Sequence, residues 1–359
     1  MDSDLLAGPS RILALTQGDP AGIGPEIIVK AFLEDAAATR HAFVVGQVEV
    51  LRRAAAVVEA ASGGMPLPVI RIETPAEVMD LPPRCLPVLD PAGPGPGPGA
   101  WPVLPPWGQV GAQAGRQAAQ AVVWAARAAL SGQVAAVVTA PLHKESLHAA
   151  GVEFPGHTEL LQAEAARHAA CAVQEMPVRM MLASPELRTV LVSIHVSLRQ
   201  AIEAVTFENV LETLRITHAA LARMLGRAPR IAVAGLNPHA GEGGLFGREE
   251  IDVIAPAVRA ATALGMAVQG PIAPDTVFMR ARSGPGLAGE FDVVVAMYHD
   301  QGLIPVKYLG VEHGVNVTLG LPMVRTSPDH GTAFDVAGTG RASASSLLQA
   351  LRMARQLVA

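Results

Sequence analysis

Arg11-Ile-Leu-Ala-Leu-Thr16 and, after a short glycine-bearing turn, Ile23-Gly-Pro-Glu-Ile-Ile-Val-Lys-Ala-Phe-Leu33 decide the fold. The first run is short and apolar and reads as a strand. The second has helical spacing, with Pro25 at an early helical position where its missing N–H is not needed. A strand followed by a helix opens a parallel βα unit, and the alternation continues along the chain. Val134-Ala-Ala-Val-Val-Thr139 reads as a buried strand and Gly111 to Leu130 as an alanine-rich helix. Phe207 to Leu225 and Arg248 to Leu264 read as amphipathic helices, and a last helix runs from about Ala342 to Val358. The predicted class is α/β, built of parallel βα units.

A chain of 359 residues has room for two domains or one large α/β unit with a cleft. Hydrophobic residues make up 50% and charged residues 16%, which suits a well-buried enzyme and excludes a disordered chain. The net charge is −5 and no basic run occurs, so nucleic acid and anionic membrane surfaces are not expected partners. The acidic Met1 to Ser10 stretch does not read as a signal peptide, and no apolar run is long enough to span a bilayer. Cys85 and Cys171 stand in unrelated contexts, which suits a reduced, cytoplasmic setting. Asp90-Pro-Ala-Gly-Pro-Gly-Pro-Gly-Pro-Gly reads as a surface loop, because alternating proline and glycine sustain neither a helix nor an interior strand. Ser283 to Gly289 reads as a second such loop.

Three histidines follow apolar strand-like runs: His195 after Arg188-Thr-Val-Leu-Val-Ser-Ile, His239 after Arg230-Ile-Ala-Val-Ala-Gly-Leu-Asn-Pro, and His299 after Asp292-Val-Val-Val-Ala-Met-Tyr. Open α/β sheets form their sites at the carboxyl ends of parallel strands. Three imidazoles delivered there can bind one divalent cation and leave positions open for substrate. A lone histidine at a strand end is more often structural; the repetition, and the glycines and acid around His239, shift the balance towards a metal site.

Other motifs allow both structural and functional readings. Gly18-Asp-Pro-Ala-Gly-Ile-Gly-Pro-Glu26 is a turn into a helix whose exposed amides favour anions. It is neither a Walker A loop nor a Gly-x-Gly-x-x-Gly fingerprint. In Pro155-Gly-His-Thr-Glu159, Thr158 can cap a helix, or His157 and Thr158 can bind a phosphate or carboxylate. Lys307, read as part of a Leu303-Ile-Pro-Val-Lys strand, can snorkel to solvent or join Asn316 and Arg325 in clamping an anion. The glycine-rich loop Asp329 to Gly340 is an ordinary helix entry or a nucleotide wrap.

Together these blocks resemble the 4-hydroxythreonine-4-phosphate dehydrogenase family of pyridoxal phosphate biosynthesis. The resemblance runs from Thr16-Gln-Gly-Asp-Pro-Ala-Gly-Ile-Gly-Pro-Glu26 to Arg341. Its densest parts are Thr139-Ala-Pro-Leu-His-Lys, Gly156-His-Thr-Glu, Gly235-Leu-Asn-Pro-His-Ala-Gly-Glu-Gly-Gly, Met297-Tyr-His-Asp-Gln-Gly, Gly314-Val-Asn-Val-Thr-Leu-Gly-Leu-Pro and Arg325-Thr-Ser-Pro-Asp-His-Gly-Thr-Ala. It implies a two-domain α/β/α sandwich similar to isocitrate and isopropylmalate dehydrogenases, with the active site in the interdomain cleft. One domain would comprise residues 1–150 with 325–359 and carry the cofactor loop. The other would comprise 151–324 and carry the metal and substrate ligands and the dimer interface.

The same resemblance assigns metal binding to His195, His239 and His299, and substrate binding to His157, Thr158, Lys307, Asn316 and Arg325. Lys307 or Asp275 would be the general base, Asp300 an acid near the metal, and His330, Gly331, Thr332 and Asp335 would bind the cofactor. The implied reaction is metal-assisted, NAD- or NADP-dependent oxidation of 4-phosphooxy-L-threonine, followed by decarboxylation to 3-amino-2-oxopropyl phosphate. Histidine ligands suit zinc, cobalt or nickel, and nearby acids also admit magnesium or manganese. The implied assembly is a homodimer with the site at its interface, His299 joining ligands from the partner chain. Alternatives are a paralogous dehydrogenase of 4-phospho-D-threonate, 4-phospho-D-erythronate or a cyclic dihydrodiol, and a metal-dependent phosphohydrolase.

Overall fold

The computed structural model describes residues 11–93 and 104–358; the acidic N-terminal stretch and most of the Pro/Gly segment after Asp90 lie outside the described residues. In chain order the strands are β1 (Leu13–Thr16), β2 (Ala42–Val45), β3 (Val69–Ile72), β4 (Leu86–Leu89), β5 (Ala136–Thr139), β6 (Arg179–Ala183), β7 (Arg188–Leu191), β8 (Ile231–Ala234), β9 (Val268–Ile272), β10 (Val293–Ala296), β11 (Val315–Leu319) and β12 (Val324–Pro328). The chain divides into a first unit, 1–176 with 321–359, and a second, 177–320. The sequence reading put the breaks at 150/151 and 324/325. The first break falls later because the helix His157–Ala169 packs on the helix Ala112–Leu130, where Arg127 pairs with Glu164 at 2.9 Å. His157 and Thr158 therefore belong to the first unit, with Arg325.

In the first unit the strand order is β3-β4-β2-β1-β5-β12, and each pair is parallel. β1, β2, β4 and β5 are buried along their whole length, as parallel strands covered on both faces must be. The helix after β1 spans Gly24–Glu34, with Pro25 in its first turn as expected.

The second unit has the order β11-β6-β7-β10-β8-β9. β7, β10, β8 and β9 are parallel, whereas β6 pairs antiparallel with both β7 and β11. Uniform βα alternation thus fails at β6 and β7. Only Ser184–Leu187 joins them, closed by Ser184 N–H donating to the Leu187 carbonyl at 2.9 Å and Leu187 N–H to the Ser184 hydroxyl at 3.1 Å. So short a connection can only return the chain antiparallel.

Two further readings change. Leu303-Ile-Pro-Val-Lys is not a strand but part of the helix His299–Tyr308. Leu303 and Val306, three residues apart, are buried in a core with Leu182, Leu191 and Val294, and Asp300 complements the helix dipole in the first turn. The segment after Arg248 opens with a π-helical turn, Glu250–Ile254, before the α-helix Ala255–Ala263. No helix among the described residues is long and apolar enough to cross a membrane.

Candidate active site

In the second unit each histidine lies in the loop beyond a parallel strand end or at the first turn of the following helix. His195 lies beyond β7 with φ +50°, His239 beyond β8 with φ +53°, and His299 opens the helix after β10. The His195 and His299 rings stand 5.6 Å apart between centroids. His299 Nδ1 lies 2.7 Å from the Asp300 carboxylate, the orienting contact that leaves Nε2 to act as a ligand.

His239 does not join that pair into a ready-made cluster. Among the described residues no group of three or more His, Cys, Asp or Glu side chains is placed to hold a metal ion. Instead His239 Nδ1 lies 3.4 Å from Glu242, inside an unusual backbone feature. Residues 239–243 all have left-handed φ, between 42° and 81°, in one continuous turn. Each non-glycine residue in that conformation carries a steric cost of about 1–2 kcal/mol, so the turn must be held from outside. Glu250, only 3% exposed, supplies the hold. Its carboxylate accepts from Leu236 N and Asn237 N, each at 2.7 Å, and from Asn237 Nδ2 at 3.0 Å.

His239, Asp275, Tyr298, Asp300, Gln301 and Tyr308 line a groove of about 700 Å³ in this unit. Asp275 and Asp300 are thus gathered near a proposed ligand. Lys307 is exposed on the last turn of the His299 helix and does not line this groove; Asn316 is half-buried on β11, opposite Leu182 of β6.

In the first unit Arg325 and His157 converge on one strip of chain, Thr139-Ala140. Arg325, on β12 and 3% exposed, donates from Nε and Nη2 to the Thr139 hydroxyl at 3.1 and 2.8 Å. Burial pushes its pKa down to about 10, against the pull of Glu159, so it stays charged at neutral pH. His157 opens the helix His157–Ala169, and enclosure of its ring, then the Arg325 charge, hold its pKa well below the usual imidazole value, against a bond to the Ala140 backbone. The residue surface is half-exposed, yet Nε2 is buried without a partner. A buried cation beside a neutral imidazole with an unused nitrogen has the chemistry to accept an anionic, hydrogen-bonding group. Thr158 lies one residue into the helix; Gly156 takes the N-cap position without a side-chain bond, so the capping alternative for Thr158 is not realised.

The loop from Asp329 to Gly340 is anchored by two side chains of the helix Gly24–Glu34. The Glu26 carboxylate, buried in the first turn of its helix, accepts from Gly338 N and, at 2.7 Å, from Gly340 N. Lys30 donates to the Gly340 and Ala342 carbonyls, both at 2.6 Å. Phe334 stacks on His143 at 4.6 Å between ring centres. Among the expected cofactor residues, Thr332 is buried and its carbonyl accepts from Ile23 N at 3.0 Å, His330 has a buried Nε2 without a partner, and Gly331 and Asp335 are exposed. Asp19 is also buried; burial raises its pKa, partly offset by the Ala21 N–H, the Ser146 hydroxyl and nearby His143. A carboxylate directly before the apolar run Ile27-Ile28-Val29, in the first turn of its helix, is the available signal for Glu26.

The profile of the family described as pyridoxal phosphate biosynthetic protein PdxA matches residues 38–354. A 4-hydroxythreonine-4-phosphate dehydrogenase of Beijerinckia indica is 50% identical over 96% of this chain and 94% of its own. A D-threonate 4-phosphate dehydrogenase of Salmonella typhimurium is 44% identical over 97% of this chain and 99% of its own. The crystal structure of 4-hydroxythreonine-4-phosphate dehydrogenase from Klebsiella pneumoniae superposes with a TM-score of 0.82 at 42% identity, covering 98% of this chain and 100% of that one. With a family match over most of its length and relatives this similar end to end, the chain belongs to the PdxA family.

Proposed function

We propose that this protein is a 4-hydroxythreonine-4-phosphate dehydrogenase of the cytoplasm that oxidises the C3 hydroxyl of 4-phosphooxy-L-threonine with NAD or NADP. The observation that carries the reading is the buried Arg325 with His157 beside it, a receptor for an anion within a chain of this family. Arg325, His157 and Thr158 would hold one anionic end of the substrate, with Lys307 and Asn316 completing the clamp. NAD or NADP, when bound, would supply the hydride acceptor, and Lys307 or Asp275 would take the hydroxyl proton, a base needing only hydrogen-bond reach and a suitable pKa. The product, a β-keto acid, loses carbon dioxide to give 3-amino-2-oxopropyl phosphate.

His195, His239 and His299 would hold one divalent ion, whose chemistry is to acidify the alcohol and stabilise the ketone oxygen. The Asp300 contact, which orients the His299 ring, supports this assignment. His330, Gly331, Thr332 and Asp335 would contact the cofactor on the loop that Glu26 anchors. The site is completed in a homodimer, His299 joining ligands of the partner chain. Support for this assembly is the exposure of Ile304 (62%) and Tyr308 (90%) on the helix that His299 opens.

A second reading, oxidation of 4-phospho-D-threonate, is favoured by the 44% identical relative of that name. Formation of reduced cofactor, followed by absorbance over 4-phosphooxy-L-threonine, 4-phospho-D-threonate, 4-phospho-D-erythronate and a dihydrodiol, distinguishes these. Highest kcat/KM on 4-phosphooxy-L-threonine supports the proposal; phosphate release without cofactor reduction contradicts it.

A further inference from the structure

We propose that Trp107, held in place by Arg53, is a positioning residue for the nicotinamide cofactor, forming the wall against which the Gly338 end of the 329–340 loop is set. The inference rests on the reading of that loop as part of the cofactor site.

Arg53 stands on the helix Val48–Ser62 and is half-buried. Its partners are two carbonyls and a ring. Nη1 donates to the Pro105 carbonyl at 2.6 Å and Nη2 to the Pro20 carbonyl at 2.8 Å. The guanidinium also lies over the Trp107 indole, with Cζ 3.8 Å from the ring centroid. A planar fork can reach two carbonyls while its face covers an indole, which the point charge of an ammonium does not combine. The segment 105–107 is thereby fixed to the turn at Pro20, and the Gly108 N–H adds a bond to the Ala21 carbonyl at 2.8 Å.

The 329–340 loop rests on this segment. Gly338 has φ +81°, and a Cβ there would stand 2.6 Å from Trp107 Cδ1 and 3.0 Å from Nε1. Gly108 has φ +67°, and a Cβ there would stand 2.8 Å from the Phe334 carbonyl oxygen. Neither position admits a side chain, so backbone meets ring at the first and backbone meets backbone at the second. The Glu26 carboxylate already accepts from the Gly338 and Gly340 N–H groups. The Gly338 end of the loop therefore has two holds, one on its amides and one where a side chain would project. Glycine has the most backbone freedom to lose, and a loop already ordered charges less of that loss to ligand binding. Removing the indole leaves the Glu26 bonds and widens what residues 338–340 sample, so the cofactor must order them.

The test compares Trp107→Ala, Trp107→Phe, Arg53→Lys and Glu26→Gln with wild type in the full-length protein. Binding of NAD and of NADP is measured by calorimetry without substrate, and amide hydrogen exchange of the 332–341 peptide is followed without cofactor. Trp107→Ala is expected to exchange faster in that peptide and to bind cofactor about 5–30-fold more weakly, the equivalent of ordering one further loop residue. Trp107→Phe restores a ring and should recover part of both; Arg53→Lys should fall between wild type and Trp107→Ala. Wild-type exchange and affinity in folded Trp107→Ala, or in Trp107→Phe and Arg53→Lys should it not fold, overturn the proposal; weakened binding in Glu26→Gln would then leave the cofactor reading of the loop standing. Weaker binding without faster exchange also overturns it, since Trp107 would then touch the cofactor and not position the loop. Faster exchange with unchanged affinity in both Trp107→Ala and Glu26→Gln, or a wild-type protein that binds neither nucleotide, overturns the cofactor reading and this proposal with it.

Discussion

Arg325 and Thr139 make a two-point contact: Nε and Nη2 of one guanidinium both donate to one hydroxyl. The hydroxyl fixes the plane of the fork, and burial leaves the charge in a setting where an anion is worth more than in water. Arg325→Lys keeps the charge and loses the fork. It is expected to lower kcat/KM about 10–100-fold, about 1.5–3 kcal/mol, through the KM for the phosphorylated substrate. The KM for the nicotinamide cofactor should change far less. Equal losses in both would make Arg325 a structural residue.

His157 gives stability a pH dependence. Its folded pKa is held below the ordinary 6.5, so as pH falls the unfolded chain takes up the proton first. Stability is unaffected above about pH 7 and is lost as pH falls from 6.5 towards the folded value, by up to about 1.4 kcal/mol per unit of separation. The difference in melting temperature between about pH 7.5 and pH 5.5 should be smaller in His157→Gln than in wild type. Identical differences would show that the imidazole ring is not held neutral.

The strained turn at 239–243 yields a prediction from the backbone alone. Ala240 has φ +52° and carries a Cβ that this conformation disfavours. Ala240→Gly should raise stability by about 0.5–1 kcal/mol. Glu250→Gln replaces one accepting oxygen with a donor that faces N–H groups, and should cost about 1–3 kcal/mol. Thermal unfolding of both variants checks the pair; a destabilised Ala240→Gly would mean that the Ala240 methyl contributes packing that outweighs the strain.

What the sequence made legible follows from what its local patterns encode. The opening strand and helix, the helix Phe207–Leu225 and the placement of three histidines beyond strand ends could be read because periodicity and strand order determine them. The β6–β7 return was missed, since both strands are apolar and the turn carries no Asn-Gly or Asp-Gly signal. Leu303-Ile-Pro-Val-Lys reads as a strand by its short apolar run, yet it is helical: burial of Leu303 and Val306 on one helix face outweighs the cost of Pro305. The anchoring roles of Glu26 and Glu250 cannot be read from the sequence, because their partners are backbone groups distant along the chain, which no spacing announces.

Glu26 holds the loop proposed for the cofactor. In Glu26→Gln, one of the two accepting oxygens becomes an NH2 group facing a backbone N–H. The cofactor KM should rise about tenfold, roughly 1.4 kcal/mol, with a smaller change in the substrate KM. An unchanged cofactor KM would remove the Asp329 to Gly340 loop from the cofactor site.

The central claim is that His195, His239 and His299 form one catalytic site completed by a second chain. Two-fold symmetry gives a dimer two equivalent shared sites. Mixing inactive His299→Ala with inactive His239→Ala protein should then assemble heterodimers in which one site is intact, and cofactor reduction should reappear. Mixing His195→Ala with each of the others tells which histidine crosses the interface, because only mutations on opposite sides of a site complement. The account predicts restored activity in the His299→Ala and His239→Ala mixture. Verified heterodimers that stay inactive, while wild-type chains survive the same exchange, would contradict it.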